Sequence, residues 1–223
     1  MNRFALYAER EEIEDQFNAK GDSPTLFKKR YNILKGQTIT VIIKSGKQNK
    51  VVSANWGLSL NEGTAPQASL RIEEITEEGP AWDLLKDQVC IIPINGFYQW
   101  KEQLKDDPYP FFIRLITEEV TGVAGILKKE ITESGAERLT CVALTMRSNP
   151  LISPLSDQMP VLLKQNESLN WLAGNAREMV KKGFDGSRFL TDMTVFRVPE
   201  LVNDPSQDSP ELIQPIPKLR DDD

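Results

Sequence analysis

The chain has 223 residues, 39% hydrophobic and 27% charged, with a net charge of −6 and a pI near 5.0. This is the composition of a soluble globular protein long enough to bury a core. Its acidity argues against a large nucleic-acid surface, although a local basic groove is compatible with it. There is no histidine, which excludes Ser-His-Asp and Cys-His nucleophilic systems and histidine-ligated zinc or iron sites.

No apolar run approaches the roughly 20 residues needed to span a bilayer. The opening, MNRFALYAEREEIED, has no basic end, apolar segment or small-residue cleavage site, so a cytoplasmic protein is expected. Cys90 and Cys141 sit in apolar runs without CxxC spacing and read as buried, inert thiols rather than metal ligands. Neither GxGxxG nor GxxxxGK[ST] occurs, so no cofactor or metal is expected.

In chain order, residues 8–20 read as a short surface helix with Ile13 and Phe17 at i, i+4. The β-branched runs 38–44 (TITVIIK) and 50–56 (KVVSANW) flank Gly46 and predict a hairpin. Residues 57–67 are loop-like, 69–73 a short strand, and 81–86 a short helix after Pro80. Residues 89–94 (VCIIPI) then meet Asn95-Gly96, a strong turn signal, followed by the aromatic strand 97–101 (FYQWK).

Further strands are predicted at 110–116, 120–127, 139–146, 161–163 and 193–198. A helix capped by Asn166 or Ser168 carries Trp171, and a second spans about 175–182. Residues 205–217 are loop-like, and the tail 216–223 reads as an acidic, disordered end to a domain over 1–215. Asp106-Asp107 reads as solvated charge. Many short strands with few peripheral helices predict one α+β domain on a curled, barrel-like, mostly antiparallel sheet.

Several residues admit two readings. Gln99 is a polar side chain within an aromatic strand, either a presented functional group or the wet face of a sheet. Trp56-Gly57 suits a base-stacking platform or simple core packing. Arg3, Arg30 and Arg71 suit phosphate contacts or structural ion pairs.

The order of short motifs resembles the SRAP family (SOS response-associated peptidase, or abasic-site processing proteins). The motifs are Arg30-Tyr31-Asn32 with Gln37, Trp56-Gly57-Leu58, Arg71-x-Glu73, Pro93-x-x-Gly96-Phe97-Tyr98-x-Trp100-Lys101, Ala124-Gly125, Asn149, Asp157-x-Met159-Pro160 and Pro210-Glu211-Leu212-Ile213. The resemblance implies a barrel-like α+β fold with a groove for single-stranded DNA. It also implies an N-terminal cysteine whose thiol and α-amine trap a ring-opened abasic site as a thiazolidine. The same cysteine is the proposed nucleophile of a self-processing peptidase, and an Asn, a Glu and a His complete the family site.

Carried onto this sequence, those positions are replaced. The family opening Met-Cys-Gly-Arg-Phe is here Met1-Asn2-Arg3-Phe4, one residue shorter. Asn2 is read as replacing the cysteine, Ser69 the asparagine, Gln99 the glutamate and Ser156 the histidine. A thiazolidine needs sulfur, Gln99 has no acidic proton, and Ser156 does not titrate near neutral pH.

The DNA contacts carry over in part, to Arg3, Arg71 and Trp56. A second family tryptophan is missing from 57–63 (GLSLNEG), and 73–78 (EEITEE) stands where the family is basic. The expectation is a non-catalytic member with weak single-stranded DNA binding. The alternatives are an interaction or regulatory module taking a protein or small ligand, and a crosslinking protein or peptidase with rearranged residues. The charge lining the groove separates the first two.

Overall fold

A computed structural model describes residues 1–61, 63–101, 109–131 and 135–216. Strand β1 is Arg3–Leu6, and helix α1 (Arg10–Phe17) follows, begun by a box in which the Glu12 carboxylate reaches back to the Glu9 N–H (2.7 Å). Its Ile13 and Phe17 are fully buried, and Asn18 ends it in the left-handed region. The next strands are β2 (Ala19–Lys20), β3 (Arg30–Leu34), β4 (Thr38–Ser45), β5 (Gln48–Trp56) and β6 (Ser69–Arg71).

Helix α2 (Pro80–Leu84) leads into β7 (Val89–Ile94), β8 (Gly96–Lys101), β9 (Tyr109–Leu115), β10 (Thr121–Ile131) and β11 (Glu137–Arg147). Short strands β12 (Gln158–Pro160) and β13 (Leu162–Leu163) precede α3 (Gln165–Asn170) and α4 (Ala176–Lys182). The two helices are separated at Gly174, whose φ of +97° no longer fits a helix. The last strand is β14 (Met193–Arg197), and two short 3₁₀ turns, Glu200–Asn203 and Pro210–Ile213, follow.

Strands β5, β4, β7, β10 and β11 form a closed ring. Neighbours pair antiparallel, except where β11 closes onto β5 in parallel through Thr140–Asn55 and Cys141–Trp56. Every residue of β7 is buried, because one face fills the barrel and the other is covered. A second, wholly antiparallel sheet runs β14-β9-β8-β1-β3. The fold is therefore the α+β, barrel-based, mostly antiparallel domain expected from the strand pattern.

The Asn95-Gly96 turn is a correction. Strands β7 and β8 do not pair; one belongs to the barrel and the other to the second sheet. Asn95 stands at the crossing, its Oδ1 accepting the Tyr7 and Ala8 N–H groups (2.6 and 2.9 Å) and its Nδ2 donating to the Glu119 carbonyl (2.5 Å). Gly96 is needed for close approach, since a Cβ there would lie 2.6 Å from the Ile113 carbonyl and against the Phe112 ring. The signal is one of punctuation, but the break is between sheets rather than within a hairpin.

Helix α3 is capped at Lys164, with Glu167 reaching back to its N–H (2.9 Å), rather than at Asn166 or Ser168. Ser168 is instead fully buried, where α3 packs on Gly122 of β10. Cys90 and Cys141 are both free and fully buried, as expected. Their mutual hydrogen bond, then burial, pushes the Cys90 thiol well up. Asp106-Asp107 and residues 217–223 lie outside the described residues. Among the described residues no helix is long and apolar enough to cross a membrane.

Candidate functional site

A cavity of about 730 Å³ opens where the barrel meets the second sheet. Its wall contains all four family-equivalent positions, Asn2, Ser69, Gln99 and Ser156, together with Arg3 and Arg71. They come from four separated parts of the chain: the start of β1, β6, β8 and the 148–157 loop. Parallel pairing of β6 with β11 (Ser69–Ala143, Arg71–Thr145) and antiparallel pairing of β11 with β12 (Arg147–Gln158) bring β6 and the loop leading into β12 to one rim.

Gln99 points from β8 across to β12, its Nε2 donating to the Gln158 carbonyl (3.1 Å). Ser156 Oγ donates to the same carbonyl (3.1 Å) and accepts the Gln158 N–H (3.3 Å). These two positions therefore form one hydrogen-bonded unit with no proton to exchange near neutral pH. The buried Gln158 Oε1 has no hydrogen-bond partner among the described residues, and such an atom at a cavity wall favours a donor from whatever enters. Ser69 is half-buried and shares this wall.

The two arginines differ. Arg71 is exposed and ion-paired, 3.1 Å from Asp157 and 4.0 Å from Glu74. Arg3 is half-buried, lies over the Trp100 ring (5.2 Å to its centre) and donates to the Val202 carbonyl. Among the described residues it has no carboxylate within ion-pairing distance, and burial lowers its pKa from the ordinary value. Glu73, the acid of the Arg71-x-Glu73 motif, accepts the Arg147 N–H (3.0 Å) and so ends β11 rather than serving the cavity.

Trp56 corrects the DNA-contact set. Its ring is fully buried, packs edge-on against Phe4 (5.0 Å) and donates to the Ala68 carbonyl (2.8 Å). No face is left for a base, so the core reading holds for this residue. Arg30 is occupied by the Gln37 side chain and the Thr38 carbonyl, away from the cavity.

Several lining groups are not among the site residues expected from the sequence: Met1, Lys35, Asp157, Gln158 and Asn203. Met1 is 6% exposed, and burial pulls its α-amine from 8.0 down to about 6. The Tyr98 phenol is pushed far up by burial and donates to the Tyr31 carbonyl (2.7 Å). The signal for Met1 was present in the one-residue-short opening. Nothing in the sequence marked Asn203, which arrives from 104 positions beyond Gln99 in the chain order.

Among the described residues, three side-chain cations (Arg3, Lys35, Arg71) line this cavity against two carboxylates (Glu74, Asp157). The wall is thus biased positive in a chain of net charge −6. No group of three or more His, Cys, Asp or Glu residues suits a metal ion among the described residues.

A closed barrel, a flanking antiparallel sheet and a polar cavity between them, built from the motif positions set out above, define an SRAP-type domain. The SOS response associated peptidase (SRAP) family matches residues 1–205, and the chain belongs to that family. It is 30% identical over 223 residues to the abasic site processing protein YoqW of Bacillus subtilis, covering 95% of this chain and 98% of that one. Abasic site processing protein YoaM of the same organism is 29% identical over 222 residues, covering 95% and 96%.

Among solved structures, a Bacteroides thetaiotaomicron protein superposes with a TM-score of 0.76 at 17% identity, covering 97% of this chain and all of that one. A phage-related protein from Bordetella bronchiseptica gives 0.72 at 18% identity, covering 90% and 95%. Both likenesses concern the fold. Membership of the family supports a role related to DNA damage.

Proposed function

We propose that this chain binds single-stranded DNA at abasic sites in the cavity between the two sheets, without forming the thiazolidine of its family. The observation that carries this reading is the gathering of Asn2, Ser69, Gln99, Ser156, Arg3 and Arg71 around one positively biased cavity. The positive wall favours a DNA strand over the alternative of an interaction module for an unrelated ligand. Binding is weak, because Arg71 must leave Asp157 to reach a phosphate and Glu74 stands beside it.

The test is binding of a single-stranded oligonucleotide carrying a tetrahydrofuran abasic analogue, measured across a salt series. Arg3→Ala and Arg71→Ala should each lower the salt slope by about 0.7 per lost phosphate contact. Absence of binding at low salt sinks the reading.

One observation favours a second reading in which chemistry persists. Counted back from Arg3-Phe4, Met1 rather than Asn2 stands where the family opening has its cysteine. In a chain that begins at Met1, that residue lines the cavity and burial pulls its α-amine from 8.0 down to about 6, toward the unprotonated, nucleophilic form. Its nitrogen can add to the aldehyde of a ring-opened abasic site and expel water, giving an imine that, lacking sulfur, reverts by hydrolysis. Borohydride reduction of the imine leaves a stable adduct on the Met1 nitrogen, located by mass spectrometry. An unchanged protein mass after borohydride removes this reading and leaves the binding one intact.

A further inference from the structure

We propose that Asn32 is a positioning residue: by tying down the C-terminal segment 198–213, it fixes the Arg3 guanidinium at the cavity wall. The consequence for DNA rests on the binding reading above; the positioning itself does not.

The segment 198–213 lies across the outer face of the second sheet. Its Val198, Val202 and Leu212 are fully buried in a small core of their own with Ala5, Tyr98 and Phe112. Two points of this strap reach the arginine. Val202 offers its carbonyl to Arg3 Nη1, and Asn203 Oδ1 accepts the indole N–H of Trp100 (2.7 Å), the ring over which Arg3 lies. The strap thus supplies both the acceptor for the cation and the pin for its platform.

Asn32 supplies the anchor. It is 2% exposed, and its Nδ2 faces three strap carbonyls: Gln207 at 2.8 Å, Asp204 at 3.1 Å and Val202 at 3.3 Å. The Val202 carbonyl is the one that also accepts from Arg3. Among the described residues Asn32 Oδ1 has no hydrogen-bond partner, so the amide is oriented by what it donates to the strap. Asp208 closes the loop from the other side, its Oδ1 accepting the Tyr31 and Asn32 backbone N–H groups at the edge of β3.

An arginine with no carboxylate partner must be held by neutral groups if it is to keep one position while remaining available to an anion. Carbonyl, aromatic face and pinned strap do this for Arg3 without cancelling its charge. Arg71, tied by carboxylates, is the contrast.

The experiment compares wild type, Asn32→Ala, Asn203→Ala, Arg3→Ala and the Arg3/Asn32 double variant. In the free proteins, the Arg3 Nε–H NMR resonance should be shifted and slow to exchange in wild type, and should move to a mobile-arginine position in Asn32→Ala. Asn203→Ala, at an exposed residue, gives the same readout should Asn32→Ala fail to fold. A simple loss of stability elsewhere would leave the Arg3 signal in place.

On abasic-analogue DNA, Asn32→Ala should weaken binding about tenfold and lower the salt slope by about 0.7, as Arg3→Ala does. The double variant should bind no more weakly than Arg3→Ala alone. An unmoved Arg3 resonance in a folded Asn32→Ala or Asn203→Ala protein overturns the proposal. If wild type binds no DNA but the Arg3 resonance still depends on Asn32, positioning stands and the DNA reading falls.

Discussion

Lowering the pH from 8.5 to 5.5 should destabilise the chain that begins at Met1 through one buried group. The Met1 α-amine has a folded pKa of about 6 against 8.0, because burial penalises its charged form. Between those values the unfolded chain binds a proton that the folded chain refuses, so stability rises with pH across the window. The contribution is fully present above 8 and lost as pH falls through 6. Two units correspond to about 3 kcal/mol at most, a large fraction of a typical net stability.

With no histidine in the chain, the side chains that ordinarily titrate near this window are the two buried thiols, at its alkaline end, and they are present in both proteins compared below. Urea unfolding at half-unit steps, on the free and Nα-acetylated proteins, isolates it. Acetylation removes the charge and should remove the slope. Glu118, whose carboxyl is raised by burial, is present in both proteins and cancels from the comparison. Equal slopes in the two proteins would refute the buried-amine argument and, with it, the geometric basis for imine formation at Met1.

Gly96→Ala should lower stability by about 3 kcal/mol, read as a fall in Tm, because the new Cβ meets a backbone carbonyl at 2.6 Å and a buried ring. An unchanged Tm would mean that the sheet crossing does not require glycine. Trp56→Phe should cost about 2 kcal/mol through the lost bond to Ala68, yet leave the salt slope of DNA binding unaltered; a reduced slope would restore Trp56 as a contact. Asp157→Asn should release Arg71 and tighten DNA binding about two- to threefold, measured at low salt; unchanged affinity would mean that Arg71 does not reach the strand. Glu14, buried beside Lys20 and Arg10, has its pKa held below 4.5 chiefly by the Lys20 hydrogen bond. Its stabilisation is present above the ordinary carboxylate value and lost as pH falls through the depressed one. Glu14→Gln should therefore cost stability at pH 7 but progressively less toward pH 3, and a constant difference in Tm would refute the pairing.

The sequence is most readable where one residue type answers one local demand. The β-branched runs of β4 and β5 specify a hairpin by alternation, and Ile13 with Phe17 specifies the buried face of α1. Asn95-Gly96 is less readable because the same dipeptide serves two ends. A hairpin uses glycine for positive φ, whereas here the missing Cβ admits Phe112 and the Ile113 carbonyl, a demand made by a strand some 16 residues further along. Trp56 misleads as a contact for a related reason. Its neighbours in sequence do not include Phe4 or Ala68, the groups that cover its ring and satisfy its N–H.

The crossing at Asn95 also explains why the cavity contains what it does. If β7 and β8 had formed a hairpin, Gln99 would have stayed with the barrel and faced its own sheet. Passing into the second sheet instead carries Gln99 opposite β12 and Ser156, which remain with the barrel. It also brings Trp100 beside Arg3 and beneath the strap that Asn32 holds. Each wall of the cavity thus belongs to a different sheet, and the side chains meet only because the chain changes sheets just before them. A polar strand residue with no partner in its own neighbourhood is weak evidence for a site; one carried by a sheet crossing to the wall of a polar cavity is stronger evidence. For Gln99, that geometry places the side chain in the cavity wall, bonded across to Gln158, rather than on an open strand face.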